Sequence, residues 1–155
     1  MNSNLKDEPD PGRPDLHKLY NQDQIMQTVV RVGRSADRGD WTTCRACFTD
    51  EVFLDHDGSN HAPSVRKMDH VIDEWRNLFV AYSASLHFVS SFEIEIKGGK
   101  ADCNSLVQAV HTQASASGSV RVLQSFGLYQ DILVLDNMTW KISSRHYRQT
   151  IKINV

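Results

Sequence analysis

The apolar residues of this chain change their period about halfway along. Over 22–38, Ile25, Val29, Val32 and Ala36 recur every three or four residues, the spacing of one buried helix face. Gly39 suits the left-handed turn that ends such a helix, and Asp40 suits the cap of a short second helix starting near Trp41. Residues 51–56 (EVFLDH) alternate as a strand, and 57–63, opened by Asp57 and Gly58, read as a loop. Ser64 is placed to cap a long third helix over 65–82, with Met68, Val71, Ile72, Trp75, Leu78, Phe79 and Tyr82 on its apolar face. The period then falls to two. Strands are predicted over 86–96, 101–112, 120–135 and 140–151, joined by turns at Gly98-Gly99 and Asp136-Asn137 and by a small-residue loop over 114–119. Strands this long are expected to bend or bulge into a half-barrel. Helices first and an antiparallel meander after them make an α+β pattern.

Residues 1–15 carry Pro9, Pro11, Gly12 and Pro14 and neither an apolar period nor the apolar centre of a signal peptide. They are expected to be a disordered polar tail ahead of a single domain over 16–155. The chain, at 155 residues, 40% hydrophobic and 23% charged, is long enough and apolar enough to bury its own core. A net charge of −2 speaks against nucleic acid as a partner, and the absence of any long apolar run speaks against a membrane.

Three cysteines, an odd number, fit reduced thiols in a cytoplasmic protein. Cys44 and Cys47 form a C-x-x-C, but a zinc site needs a second ligand pair and a thioredoxin-like site needs a βαβ context. Neither is present, so buried, inert thiols are expected. The Gly98-Gly99-Lys100 turn precedes no helix and is not a phosphate loop. Asp55, His56 and His61 suggest a metal site, but no second ligand cluster accompanies them, and they read as a polar rim.

Three residues hold the candidate chemistry. Asp37 follows Ala36 at the edge of the buried stripe, which places a carboxylate where it can turn inward. His87 lies on the strand face opposite Leu86 and Phe88, and His111 shares a face with Val107 and Ala109. Either histidine alone reads as a core or rim residue. If the two meet the helix-edge Asp, the carboxylate fixes an imidazole tautomer and the pair becomes a general base.

The segments A-D-R-G-D-W around Asp37, F-L-D-H, L-H-F-V around His87, V-Q-A-V-H, and G-L-Y-Q-D followed by D-N-M-T-W-K-I-S-S-R together resemble the SnoaL-like, scytalone dehydratase-type superfamily over about 17–150. The resemblance implies a cone fold, shared with nuclear transport factor two. In it, three N-terminal helices pack in a strongly curved antiparallel sheet that encloses a pocket. Members include dehydratases, dehydrochlorinases, isomerases, polyketide cyclases, epoxide hydrolases and binding-only subunits, so the fold alone does not give the chemistry. Asp37 and His87 match the superfamily's helix-end Asp and the strand His paired with it. His111 matches the second pocket His of scytalone dehydratase. His56 stands where that enzyme has a Tyr that binds the substrate carbonyl through water. The Ser and Asn that complete its pocket have no counterparts; Phe126 and Leu128 fall near them, so scytalone is not the expected substrate. The Asp-Arg-Asp pattern of limonene epoxide hydrolase is not evident.

The resemblance thus implies a lyase or isomerase, of dehydratase or cyclase type, acting on a small hydrophobic oxygenated molecule of the kind met in polyketide and other natural-product metabolism. His87, oriented by Asp37, removes a proton α to a carbonyl. His111 or His56 protonates a leaving hydroxyl or holds the enolate oxygen, with Tyr129 as a further donor. Phe53, Trp75 and Phe126 are expected among the aromatic residues around the substrate, with His56 and Tyr129. No metal or organic cofactor is required. Dehydration, isomerisation and cyclisation share this base and stay open. Assembly as a homodimer or homotrimer is expected, as is usual in the superfamily. The competing reading is a non-catalytic ligand-binding or assembly subunit, which has no need of an Asp–His pair backed by a second His.

Overall fold

Asp15 sets where the first helix begins. Its carboxylate accepts the Lys18 backbone N–H at 3.1 Å, and α1 runs Leu16–Asp37. The structure, a computed structural model, describes residues 15–115 and 118–154. The tail expected over 1–15 lies outside these, apart from Asp15. The helix starts earlier than the apolar period indicates because its first turns bury nothing: Leu16, Leu19 and Tyr20 are exposed. Further along, Ile25, Val29, Val32 and Ala36 are buried as their spacing predicts. Gly39 ends the helix with φ +69°, and Asp40 caps α2 (Trp41–Ala46) by accepting the Thr43 N–H at 3.0 Å.

The strands are β1 (Phe48–His56), β2 (Ser64–Lys67), β3 (Ala84–Lys97), β4 (Lys100–Ala114), β5 (Val120–Asp136) and β6 (Thr139–Asn154). They form one curved open sheet in the order β2-β1-β6-β5-β4-β3. The sheet is antiparallel except where β1 and β6 run parallel, a pairing the expected all-antiparallel sheet did not include. The third helix is shorter than predicted: α3 spans Met68–Phe79. Ser64 caps nothing. Residues Ser64–Lys67 instead pair with β1, from Leu54↔Ser64 to Glu51↔Lys67. The reason lies in the apolar face, which begins at the fully buried Met68, while Val65 is exposed.

The long strands bulge, as their length predicts. Register shifts fall between Ser90 and Glu93, Phe126 and Gly127, and Ile132 and Leu133. They curl the sheet around α1 and α3, and Ile25, Val29, Phe48, Val52, Met68, Val71, Leu133 and Ile142 fill the closed end. Cys44, Cys47 and Cys103 are free and buried, and burial pushes the Cys44 and Cys103 thiols up to about 12, so neither is a thiolate at neutral pH. Among the described residues no helix is long and apolar enough to cross a membrane.

Candidate active site

Asp37 is the last residue of α1, at the end of the helix where exposed carbonyls disfavour a carboxylate by about 0.3–1 kcal/mol. Three donors compensate. Oδ1 accepts from His87 Nδ1 at 2.7 Å and from Ser85 Oγ at 2.9 Å, and Oδ2 accepts the His87 backbone N–H at 2.7 Å. Burial by itself would raise the Asp37 pKa, but its hydrogen bond to His87 and the attraction of that ring outweigh burial and hold it below the usual carboxylate value. The pair is well shielded, with side-chain exposures of 10% for Asp37 and 13% for His87. Since Asp37 takes the Nδ1 proton in its hydrogen bond, Nε2 is the ring nitrogen that His87 offers to the cavity.

The close approach of α1 to β3 depends on a glycine one helical turn before Asp37. A Cβ on Gly33 would lie 2.6 Å from His87 Cβ and 3.1 Å from its Cγ. In an exposed helix interior Gly→Ala stabilises by up to about 1 kcal/mol. Here Gly33→Ala is expected to do the reverse, lowering the melting temperature and loosening the Asp37–His87 contact, because β3 must move away from α1. A thermal melt checks the sign.

His111 stands directly across from Ser85 in the β3–β4 ladder, and its Nδ1 lies 2.9 Å from Ser85 Oγ. The Tyr82 ring stacks on it at 4.3 Å, and Phe79 meets it edge-on at 5.7 Å. Phe79 also stacks over His87 at 6.1 Å. Burial, reinforced by the neighbouring His87, pushes the His111 pKa down from 6.5 to about 4, against the pull of Asp37. His111 is therefore neutral in the folded protein at a pH where the unfolded chain would bind a proton. It follows that acid destabilises the fold through this group: stability falls as pH drops from about 6.5 to about 4, by an amount on the order of 2–3 kcal/mol. Urea unfolding across that range is expected to show this slope, and His111→Gln to flatten it.

These groups open onto a cavity of about 280 Å³, lined among others by Val32, Gly33, Trp75, Phe79, Tyr82, His87, Val107, Ala109, His111, Ser125, Tyr129, Arg145 and Tyr147. Its volume suits a small ligand. Part of the cavity wall forms a polar end. Arg145 forms a two-pronged ion pair with Asp131, Nε to Oδ1 and Nη2 to Oδ2, both at 2.7 Å, and its side chain is 4% exposed against 0% for Asp131. Its guanidinium lies 4.0 Å from the centre of the Tyr129 ring. Burial drives the Tyr129 pKa up to about 12, although Arg145 opposes it, so the phenol keeps its proton and can donate.

The structure brings Asp37, His87 and His111 together, and puts Trp75, Tyr129 and the rim residue His56 on the cavity wall. Phe53 and Phe126 are corrections. Phe53 alternates with the buried Val52 and faces outward, its ring 5.2 Å from that of His146. Phe126 pairs with Gln108 in the ladder and shares its outer face, between the inward Ser125 and Gly127. Asp55, His56 and His61 do not converge. Asp55 bonds Arg148 and His146, His56 Nδ1 bonds the Asp57 carbonyl at 3.0 Å, and His61 lies 3.3 Å from Glu74. Among the described residues no group of three or more His, Cys, Asp or Glu is placed to hold a metal ion.

The sequence reading missed Ser85, Arg145, Asp131 and Tyr147. Asp131 did carry a signal: it shares strand parity with Tyr129 and Leu133, so it is an inward carboxylate that needs a buried cation.

Comparison with known proteins agrees with this fold. A family model described as a SnoaL-like domain matches residues 18–146. No curated protein sequence matches. Among solved structures, the Kfla4162 protein of Kribbella flavida superposes with a TM-score of 0.81 at 20% identity, covering 88% of this chain and 95% of that one. A putative scytalone dehydratase from Novosphingobium aromaticivorans gives 0.75 at 18% identity, covering 88% of each chain. A hexachlorocyclohexane dehydrochlorinase gives 0.77 at 14% identity, covering 92% of this chain and 93% of that one. At these identities the structural likeness establishes the fold.

Proposed function

The chain belongs to the SnoaL-like family, and from that premise we propose that it is a cofactor-independent lyase or isomerase whose base is His87, held by Asp37. The observation that carries this reading is the 2.7 Å bond from His87 Nδ1 to a carboxylate that already accepts two other donors, at the wall of a small cavity. With Nδ1–H committed, Nε2 takes a proton from carbon next to a carbonyl, and the imidazolium that forms lies against the Asp37 carboxylate. General-base catalysis of this kind typically contributes about 10²–10⁴-fold.

The carbonyl oxygen needs donors where negative charge develops. The Tyr129 hydroxyl and the Arg145 Nη1, which has no partner among the described residues, are the groups at the polar end suited to that task. Dehydration, isomerisation and cyclisation differ in where the enolate's electrons and the His87 proton go. In dehydration the enolate expels a β-hydroxyl, which leaves as water with the proton from the His87 imidazolium. In isomerisation that proton returns to another carbon. In cyclisation the enolate carbon attacks an electrophilic carbon of the same substrate, and the proton goes to the oxygen released there. The family and its structural neighbours, which include dehydratases, support the class of reaction, and the apolar walls support a small, partly hydrophobic substrate.

The test is incubation of the purified protein with β-hydroxy carbonyl and polyketide-like compounds, followed by mass spectrometry. Loss of one water identifies a dehydratase, and a product of unchanged mass an isomerase or cyclase. Binding without turnover of any compound returns the protein to a ligand-binding role. Self-association is part of this reading. Leu86, Phe88, Leu106, Leu128 and Ile151 are exposed on the outer sheet face, and a second copy of the chain would cover them. Sedimentation as a monomer would remove that part.

A further inference from the structure

We propose that Ser85 is a positioning residue that fixes His111 as the Nδ1–H tautomer, so that its Nε2 presents a lone pair and selects a substrate bearing a hydroxyl near the reacting C–H. The choice of substrate rests on the catalytic reading above; the tautomer does not.

The argument is a count of protons. Ser85 Oγ sits 2.9 Å from Asp37 Oδ1 and 2.9 Å from His111 Nδ1. A serine hydroxyl has one hydrogen to give and can accept at its oxygen. An ionised Asp37 can only accept, so the Ser85 hydrogen is committed to it. The remaining short contact then needs a hydrogen from the other side, and His111 Nδ1–H is the source. The opposite assignment would leave two bare oxygens, Asp37 Oδ1 and Ser85 Oγ, facing each other in a half-buried site, which is costly. Tyr82 stacked on His111 and Phe79 edge-on to it hold the ring in this orientation.

The same count fixes His87, whose Nδ1–H also goes to Asp37. One carboxylate therefore organises two imidazoles, directly on one side and through Ser85 on the other. The ring centroids of His87 and His111 are 5.4 Å apart, and Nε2 of neither has a partner among the described residues. Two acceptors side by side repel a bare carbonyl oxygen. They suit a carbon acid at His87 with an O–H donor at His111, while the carbonyl points to Tyr129 and Arg145. A neutral His111 with its proton on Nδ1 has none on Nε2 to give, so in this proposal its role is to hold the substrate hydroxyl by that group's own hydrogen.

The first arm of the test uses no substrate. In full-length protein labelled with ¹⁵N-histidine, long-range ¹H–¹⁵N spectra at neutral pH should show His111 Nδ1 as a protonated, pyrrole-like nitrogen and Nε2 as a pyridine-like one. Ser85→Ala should move His111 toward the Nε2–H form, and Ser85→Thr should keep the wild-type pattern. An Nε2–H or doubly protonated His111 in the wild type, or an unchanged His111 in Ser85→Ala, overturns the proposal. Because the wild-type spectrum decides the tautomer, a variant that fails to fold does not block the test. The second arm compares a turned-over hydroxy compound with its methoxy ether. The ether should have a KM at least about tenfold higher, the value of one hydrogen bond, and Ser85→Ala should narrow that gap. Equal KM values overturn the substrate claim alone, and absence of any turnover counts against the enzyme reading while leaving the spectra to judge Ser85.

Discussion

Replacing Asp131 with Ala is expected to lower the stability of the fold by about 3–5 kcal/mol, the cost of leaving a buried charge without its partner. The Arg145 side chain is 4% exposed and Asp131 is its two-pronged counter-ion. Removing the carboxylate strands a buried guanidinium between Phe48, Tyr129 and the cavity. The double variant Asp131→Leu, Arg145→Met should recover most of the loss, because two apolar side chains of similar volume remove both desolvation costs together. Urea unfolding of the three proteins measures this directly. If the single change costs under about 1 kcal/mol, water reaches the pair through the cavity and the guanidinium is not a buried charge. The functional cost should run the other way: the double variant folds but has lost the buried guanidinium beside Tyr129, so a substrate carbonyl held there should bind less well.

Asp37→Asn is expected to lower kcat by about 10²–10⁴-fold with the fold retained, the range lost when a general base is disabled. The side chain keeps its size, so packing at the end of α1 is preserved. Its hydrogen bonding does not. Three donors converge on the carboxylate, from Ser85 Oγ, the His87 backbone and His87 Nδ1. An amide accepts only at its oxygen and brings two hydrogens of its own. To avoid meeting an N–H with an N–H, His87 must move its proton to Nε2, and the nitrogen facing the cavity then has no lone pair. The prediction is thus a fall in kcat larger than any change in KM, measured by steady-state kinetics on whichever compound the wild-type protein turns over.

Much of the fold was legible because the period of apolar residues is a local property. The stripe from Ile25 to Ala36, the Gly39 stop, the Asp40 cap and the three hairpin strand pairs all follow from residues near one another in the chain. Ser64 reads as a helix cap and 65–67 as helix because a few residues ahead of a strong helical face carry no period of their own, and pairing with β1 decides them. Arg145 was hidden by a bulge. Trp140 and Ile142 point inward, and strict alternation would turn Arg145 and Tyr147 outward; the register shift opposite Ile132 and Leu133 reverses the faces and buries both. Phe126 was a misreading the sequence itself argues against. It lies three residues from Tyr129, so in an unbroken strand the two cannot share a face. The meeting of Asp37 with His87, fifty positions apart in the chain, has no local signal at all and was supplied by likeness to a family.

The measurement that bears most directly on the His87 base is proton exchange in heavy water. A carbonyl compound bound by the wild-type protein is incubated in D₂O with wild type, His87→Gln and Asp37→Asn, and deuterium at the α-carbon and in any product is followed by mass spectrometry and NMR. The account predicts exchange or turnover with the wild type and its loss from both variants while their circular dichroism stays that of the folded protein. Exchange or turnover at wild-type rates in both variants would contradict it, because the proton would then be leaving to some group other than the Asp37–His87 pair.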